Sequence, residues 1–269
     1  MRIISICPSN TEILAYLGLT SQVVGVDDFS DWPNGINHLP RLGPDLNINM
    51  DKVEQLKPDI VLASLSVPGM EKMVEELEKR KIPHITLNPN SLEEIGNSLL
   101  LVGKHLGVED QAKHVFQKYN RILETYRKLS HDIAQKRKLY WEWWPKPVFT
   151  PGKHNWLTEI SELAGGINVF STENVASFST SWEDVKSRDP DYICMVWVGV
   201  QTEKMNPSLI RKRPGWHEMR AIKGDKIIIL DEDLYCRPSP RLMVGLQKLA
   251  AILHPEKFPP YELGDSLLD

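Results

Sequence analysis

The side chains in this 269-residue sequence with most to offer a ligand are its tryptophans and one arginine-bearing loop. Trp141, Trp143, Trp144 and Trp197 fall on or beside segments patterned as strands, and Trp143-Trp144 stands directly before Pro145, where a strand would leave its sheet. Large planar side chains bury much area at low entropic cost, so they suit a flat or bulky apolar ligand without needing a charge. Trp32, Trp144, Trp197 and Tyr235 are the aromatic ligand candidates; Trp216, after Pro214-Gly215, could serve the ligand or the core, while Trp141 and Trp182 read as packing residues. The loop Tyr235-Cys236-Arg237-Pro238-Ser239-Pro240-Arg241 puts two guanidinium groups ahead of the last helix, whose unpaired N–H groups also favour anions. Arg237 is the candidate for a carboxylate, phosphate or amide rim of a ligand, whereas Arg241 serves equally well as the partner of a structural carboxylate. Cys236 is a weaker candidate, as a thiolate for a soft metal centre, because an isolated loop cysteine is ordinarily inert.

Catalytic groupings are missing from the sequence. It has no GxSxG, GxxxxGK[ST] or HExxH, and no GxGxxG after a strand. The eight histidines include no close pair at metal-ligand spacing, and Glu159 with Glu162 reads as a solvated pair on one helix face. The expectation is a non-catalytic binding protein with no required cofactor and no metal site. A net charge of −4 and a pI near 6.1 give no general attraction for nucleic acid or an anionic membrane. Three separated cysteines suggest neither a disulfide framework nor a zinc site. No apolar run approaches the roughly 18 residues needed to insert into a bilayer.

The elements that must position these groups follow an α/β alternation, with short β-branched runs between helical patterns, as in a largely parallel sheet. Strands are expected at 3–7, 23–26, 60–63, 84–87, 139–144, 192–198 and 226–230. Helices are expected at 8–17, with Glu12 in the first turn, and at 69–80, 91–106, 156–164 and 241–253. Residues 109–138 form a charged amphipathic pattern without Gly or Pro, which would make a helix about 45 Å long. The expected organisation is an N-terminal α/β lobe over 1–108, a linking spine helix over 109–138, and a C-terminal α/β lobe over 139–269, with a ligand cleft between the lobes.

The two halves repeat one pattern. Met50-Asp51-Lys52-Val53 leads to Lys57-Pro58-Asp59-Ile60, and Trp182-Glu183-Asp184-Val185 leads to Asp189-Pro190-Asp191-Tyr192. The offset is constant, since 183 − 51 and 190 − 58 both equal 132. Each unit reads as a short helix with an acid in its first turn, a Pro-Asp corner and a buried strand. Thr11-Glu12-Ile13 and Thr158-Glu159-Ile160 give a second echo upstream.

These segments carry a resemblance that covers nearly the whole chain. Together with Ser5-Ile6-Cys7-Pro8-Ser9-Asn10-Thr11-Glu12, Phe149-Thr150-Pro151-Gly152-Lys153, Leu163-Ala164-Gly165-Gly166 and Pro238-Ser239-Pro240-Arg241, the sequence resembles the helix-linked (class III) substrate-binding proteins of ABC importers for cobalamin, haem and iron siderophores. Ser30-Asp31-Trp32-Pro33 and the segment 149–153 look most like the cobalamin-binding branch. The resemblance implies a corrinoid as bound ligand, with a ferric siderophore or haem as alternatives, and adds Ser9 and Asn10 to the ligand candidates. It also implies that Asp51 and Glu183 dock onto arginine pockets of ABC permease subunits, with Asp51 shorter than the glutamate usual there. The sequence as written opens directly on a strand, without a signal peptide or lipobox. As it stands that points to the cytoplasm and makes a corrinoid carrier or sensor without a permease the alternative to an importer component; a leader upstream would instead make the protein extracytoplasmic.

Overall fold

A computed structural model describes residues 1–268 and divides the chain into two compact units. Unit 1 contains Met1–Asn120, Pro238–Pro240 and the C-terminal residues from Ser266; unit 2 contains Arg121–Arg237 and Arg241–Asp265.

Unit 1 is built on four parallel strands, β1 (Ile3–Ser5), β2 (Val23–Val26), β3 (Ile60–Ser64) and β4 (His84–Leu87), in the order β2-β1-β3-β4. Helices cover a parallel sheet on both faces, so its central strands read as continuous apolar runs; β1 is buried along its whole length. Between β1 and β2 lies α1 (Pro8–Tyr16), which opens on a proline and buries eight of its nine residues. Glu12 falls in the second turn of α1 rather than the first and is fully buried. α2 (Met50–Gln55), α3 (Glu71–Lys79) and α4 (Leu92–Leu106) follow. Ser91 caps α4 by accepting from the Glu94 amide at 3.2 Å, and Gly107, at φ 71°, ends it in the left-handed region. Within unit 1, α4 crosses the start of α5 (Glu109–His131) so closely that a β-carbon at Gly103 would stand 2.3 Å from that of Ala112.

The division between units falls inside α5, after Asn120. This helix has 23 residues, about 35 Å, and stops at His131 instead of continuing to 138. Strand pairing overrides the local pattern there: Ile133 turns into the core of unit 2, and the chain from Arg137 is already in its central sheet.

Unit 2 contains β5 (Arg137–Glu142), β6 (Trp144–Pro145), β7 (Val148–Pro151), α6 (Trp156–Leu163), β8 (Gly166–Asn168), β9 (Ser177–Thr180), α7 (Trp182–Arg188), β10 (Tyr192–Met195), α8 (Ser208–Arg211), α9 (Arg220–Lys223), β11 (Ile227–Ile229), α10 (Glu232–Tyr235) and α11 (Leu242–Leu253). Its main sheet is parallel, in the order β8-β5-β10-β11, while β6-β7-β9 form a small antiparallel sheet. Among the described residues no helix is long and apolar enough to cross a membrane.

With β1, β2, β3 and β4 set against β5, β8, β10 and β11, the two main sheets have the same order, and the repeat extends to single hydrogen bonds. Asn49 caps α2 by accepting from the Lys52 amide at 3.0 Å, and Ser181 caps α7 from Asp184 at 3.1 Å. Lys57 (φ 46°) and Asp189 (φ 43°) both enter the left-handed region just before the Pro-Asp step. The Asp59 carboxylate then accepts from the Arg2 amide at 2.6 Å, and that of Asp191 from the Lys138 amide at 2.8 Å, each joining its corner to the head of a neighbouring strand.

Candidate functional site

In open parallel sheets, ligands bind beyond the carboxyl ends of the strands. In unit 1, β2 is followed directly by Asp27, which is fully buried and organises the next turn. Its carboxylate accepts from the Phe29 amide at 2.8 Å, the Ser30 amide at 3.1 Å and the Ser30 hydroxyl at 2.5 Å. Ser30 meets Thr11 of α1 at 2.7 Å, Thr11 donates to Ser5 of β1 at 2.8 Å, and Arg41 donates to the Asp27 and Ser30 carbonyls. The loop is therefore fixed to the sheet, and it holds Phe29 out with 52% of its surface exposed. Trp32, half-buried, lies with its ring 5.3 Å from that of Tyr16. Beyond β3, Leu65 and Val67 are exposed, in a turn where the Ser64 hydroxyl accepts from the Ser66 amide at 3.1 Å.

Ser9 and Asn10 take a different part. Asn10 donates to the Ala63 carbonyl at 2.9 Å, tying α1 to the end of β3, and Ser9 contacts the Cys7 sulfur at 3.3 Å. Both side chains are buried, which makes them struts beneath the strand ends rather than a surface for a ligand.

In unit 2, β5 ends at Glu142 and β10 at Met195, and the chain beyond each presents an apolar group: Trp144 is 44% exposed and Val198 is 46% exposed. The Val198 amide donates to the Trp143 carbonyl at 3.1 Å, so these two residues belong to one rim. Trp197 turns inward and donates from its indole to Glu142 at 3.0 Å. Trp216 has no accessible surface: its indole donates to the Trp182 carbonyl at 3.2 Å and its ring meets Tyr140 edge-on at 6.2 Å. Tyr235 is likewise core, donating to the Gly245 carbonyl at 2.8 Å beside the Trp141 ring, and burial pushes its phenol well above the usual range. The apolar neighbours that bury Trp216 and Tyr235 use the same planar surface that the sequence offered to a ligand.

The arginine loop is committed as well. Arg237 pairs with Glu232 at 3.2 Å and Arg241 with Asp233 at 2.9 Å. Burial raises the Cys236 thiol well above its ordinary value, against the thiolate a metal would require, and its sulfur lies 3.9 Å from the Val196 carbonyl. A cavity of about 420 Å³ in unit 2 lies by β11 and α11, lined by Ile229, Leu230, Lys248, Ile252, Pro260 and Tyr261 among others. Lys248 in its wall is bonded to Asp231 at 2.8 Å.

Four rim residues escaped the sequence reading: Phe29, Leu65, Val67 and Val198. Their common signal is an apolar residue set among polar or small ones within a few positions of a strand's end. The two docking candidates lie on α2 and α7, the helices of the repeat. Asp51 is exposed but held by Arg80 at 2.7 Å, which also contacts Glu54 at 3.0 Å; Glu183 is exposed in the first turn of α7.

The family described as "Periplasmic binding protein" matches residues 3–234. An ABC transporter substrate-binding lipoprotein of Bacillus subtilis, YvrC, is 30% identical over 267 residues, covering 96% of this chain and 81% of that protein. Two solved structures are also similar. A possible iron-binding (periplasmic solute-binding) protein from Staphylococcus epidermidis is 27% identical with a TM-score of 0.78, covering 93% of this chain and 96% of its own. The periplasmic vitamin B12 binding protein BtuF of Vibrio cholerae is 25% identical with a TM-score of 0.76, covering 94% and 96%.

Proposed function

The chain belongs to the periplasmic binding protein family, and from that premise we propose that it is the substrate-binding component of an ABC importer whose ligand is a corrinoid. It binds a small molecule and does not transform it. The observation that carries the ligand class is a division of labour at the strand ends. Phe29, Leu65, Val67, Trp144 and Val198 face solvent, while the nearby guanidiniums are engaged inside the fold: Arg41 on two carbonyls, Arg213 on Glu142, Arg237 on Glu232 and Arg241 on Asp233. An anionic ferric chelate or the propionates of haem would call for cations turned outward. A bulky ligand with a neutral amide periphery suits apolar rims. The similarity to the B12-binding Vibrio protein supports the corrinoid, and the similarity to the Staphylococcus protein keeps iron chelates as the second reading. The Bacillus lipoprotein supports an extracytoplasmic position and a permease partner; Asp51 and Glu183, exposed on the paired helices α2 and α7, are the docking acids of this reading.

The test is calorimetric titration with cyanocobalamin, a ferric siderophore and haemin in parallel, alongside tryptophan fluorescence. Cyanocobalamin is expected to bind at about micromolar affinity or tighter, about −8 kcal/mol, and to quench the fluorescence. Saturable binding of haemin or the siderophore without binding of cyanocobalamin would overturn the corrinoid assignment.

A further inference from the structure

Beneath the exposed rim of unit 2 lies a buried ion pair. The Glu142 carboxylate, at the end of β5, is completely buried and receives Arg213 through both terminal nitrogens, at 2.5 and 2.8 Å. It also accepts from the Tyr140 hydroxyl at 2.9 Å and the Trp197 indole at 3.0 Å. The guanidinium of Arg213 lies over two aromatic rings, 4.5 Å from the centre of Trp216 and 5.0 Å from that of Trp182. A carboxylate taken out of water at such cost is retained only with a full set of donors, and this one has four.

The backbone gives this pair its reach. The Glu142 carbonyl accepts from the Val196 amide at 3.1 Å, and one step further the Trp143 carbonyl accepts from Val198 at the same distance. The ends of β5 and β10 are thus joined twice through main chain and once through the Trp197 indole. Trp144 and Val198 project from these joined ends. Arg213 comes from the chain between α8 and α9, so its bond to Glu142 anchors the rim to a segment remote in sequence.

We infer that Glu142 and Arg213 are positioning residues of the ligand site: without touching the ligand, they hold the Trp197 indole and the two strand ends that present Trp144 and Val198. The inference rests on the assignment of that rim to the ligand under the proposed function. Removing one partner would leave the other charge buried and uncompensated, so E142Q and R213M each test folding more than positioning. Replacing both, as E142M/R213M, removes the charges together and leaves only two neutral donors, the Tyr140 hydroxyl and the Trp197 indole, without their acceptor.

The experiment compares wild type, E142M/R213M, W144A and the triple variant. Hydrogen exchange in the ligand-free proteins reads the Val196 and Val198 amides, and cyanocobalamin titration reads affinity. The double variant is expected to fold cooperatively, to lose about tenfold or more in protection at both amides, and to bind about tenfold more weakly. W144A is expected to weaken binding in the wild-type background and to add little in the double variant, since the rim is already displaced. A folded double variant with unchanged protection at Val196 and Val198 overturns the inference whatever the ligand proves to be. Unchanged affinity in the double variant, where the wild type binds cyanocobalamin, also overturns it. A double variant that fails to fold overturns it in favour of a purely structural pair. Failure of the wild type to bind cyanocobalamin refutes the corrinoid assignment alone, and the exchange measurement still decides the positioning role.

Discussion

Truncating Trp144 isolates the contribution of the exposed rim, because this side chain is presented to solvent rather than spent on the core. It keeps 44% of its surface exposed while pairing with Phe149 across β6 and β7. A tryptophan offers up to about 250 Å², so the exposed part is about 110 Å². At ~25 cal/mol/Å² complete coverage by a ligand would contribute about 2.8 kcal/mol. A planar ligand meets one face of the indole, which halves the figure to about 1.4 kcal/mol, or tenfold in Kd. Trp144→Ala is therefore expected to raise the Kd for cyanocobalamin about tenfold, with hundredfold as the ceiling, and W144F should recover part of the loss. Calorimetry is the suitable assay, since the substitution also removes a fluorophore. A W144A protein with unchanged circular dichroism and a Kd within about twofold of wild type would show that the rim of unit 2 does not face the ligand.

Three further outcomes follow from particular contacts. Gly103→Ala should destabilise unit 1 by about 1–3 kcal/mol, although alanine favours helices, because its β-carbon would stand 2.3 Å from that of Ala112; a thermal melt with an unchanged midpoint would contradict the close helix crossing. Burial raises the Asp184 carboxyl, but the bonds from Arg188 and Thr180 outweigh it and hold the group below the usual carboxylate range. A lowered folded pKa makes this contribution complete above the ordinary carboxylate pKa of about 3.9 and lost as pH falls through the folded value; R188M should flatten that part of the acid branch of a melting-temperature profile, and an unaltered branch would refute the pairing. With reconstituted permease, Glu183→Ala should cut uptake without changing ligand Kd, and D51A should cut it less, because Arg80 already engages Asp51 within the chain; equal uptake by all three proteins would remove both acids from docking.

The repeat was the most legible feature of the sequence, for a physical reason. An acid in a first turn, a proline and an aspartate at a constant offset of 132 mark local requirements: the helices open on the caps Asn49 and Ser181, both prolines follow a left-handed residue, and Asp59 and Asp191 each bond the head of a strand. The strands were legible because buried parallel strands have no polar alternation to obscure them. The end of α5 was not, since neither Gly nor Pro stops it: sheet pairing from Arg137 does, and that is a contact with residues distant in sequence. The same limit governs the aromatics. Trp144, Trp197 and Trp216 look alike in a sequence, and only Trp144 is exposed; the other two are drawn inward by Glu142 and by the Trp182 carbonyl.

Both rims reach their exposed positions by a shared device that the duplication did not copy residue for residue. In unit 1 a buried carboxylate, Asp27, stands two residues before exposed Phe29; in unit 2 a buried carboxylate, Glu142, stands two residues before exposed Trp144. An apolar side chain at a strand end gains by folding back onto the core, so its exposure must be enforced by its backbone. A buried carboxylate does this because leaving its acceptors unfilled costs more than the apolar burial would return. The two sites fill their acceptors differently, Asp27 with neighbouring amides and a serine, Glu142 with Arg213, Tyr140 and Trp197. The first draws the donors named here from the residues just after it, and Ser30 and Arg41 tie that loop to α1 and the sheet. The second recruits distant parts of unit 2, so mutations far from its rim, around Arg213, should alter ligand affinity.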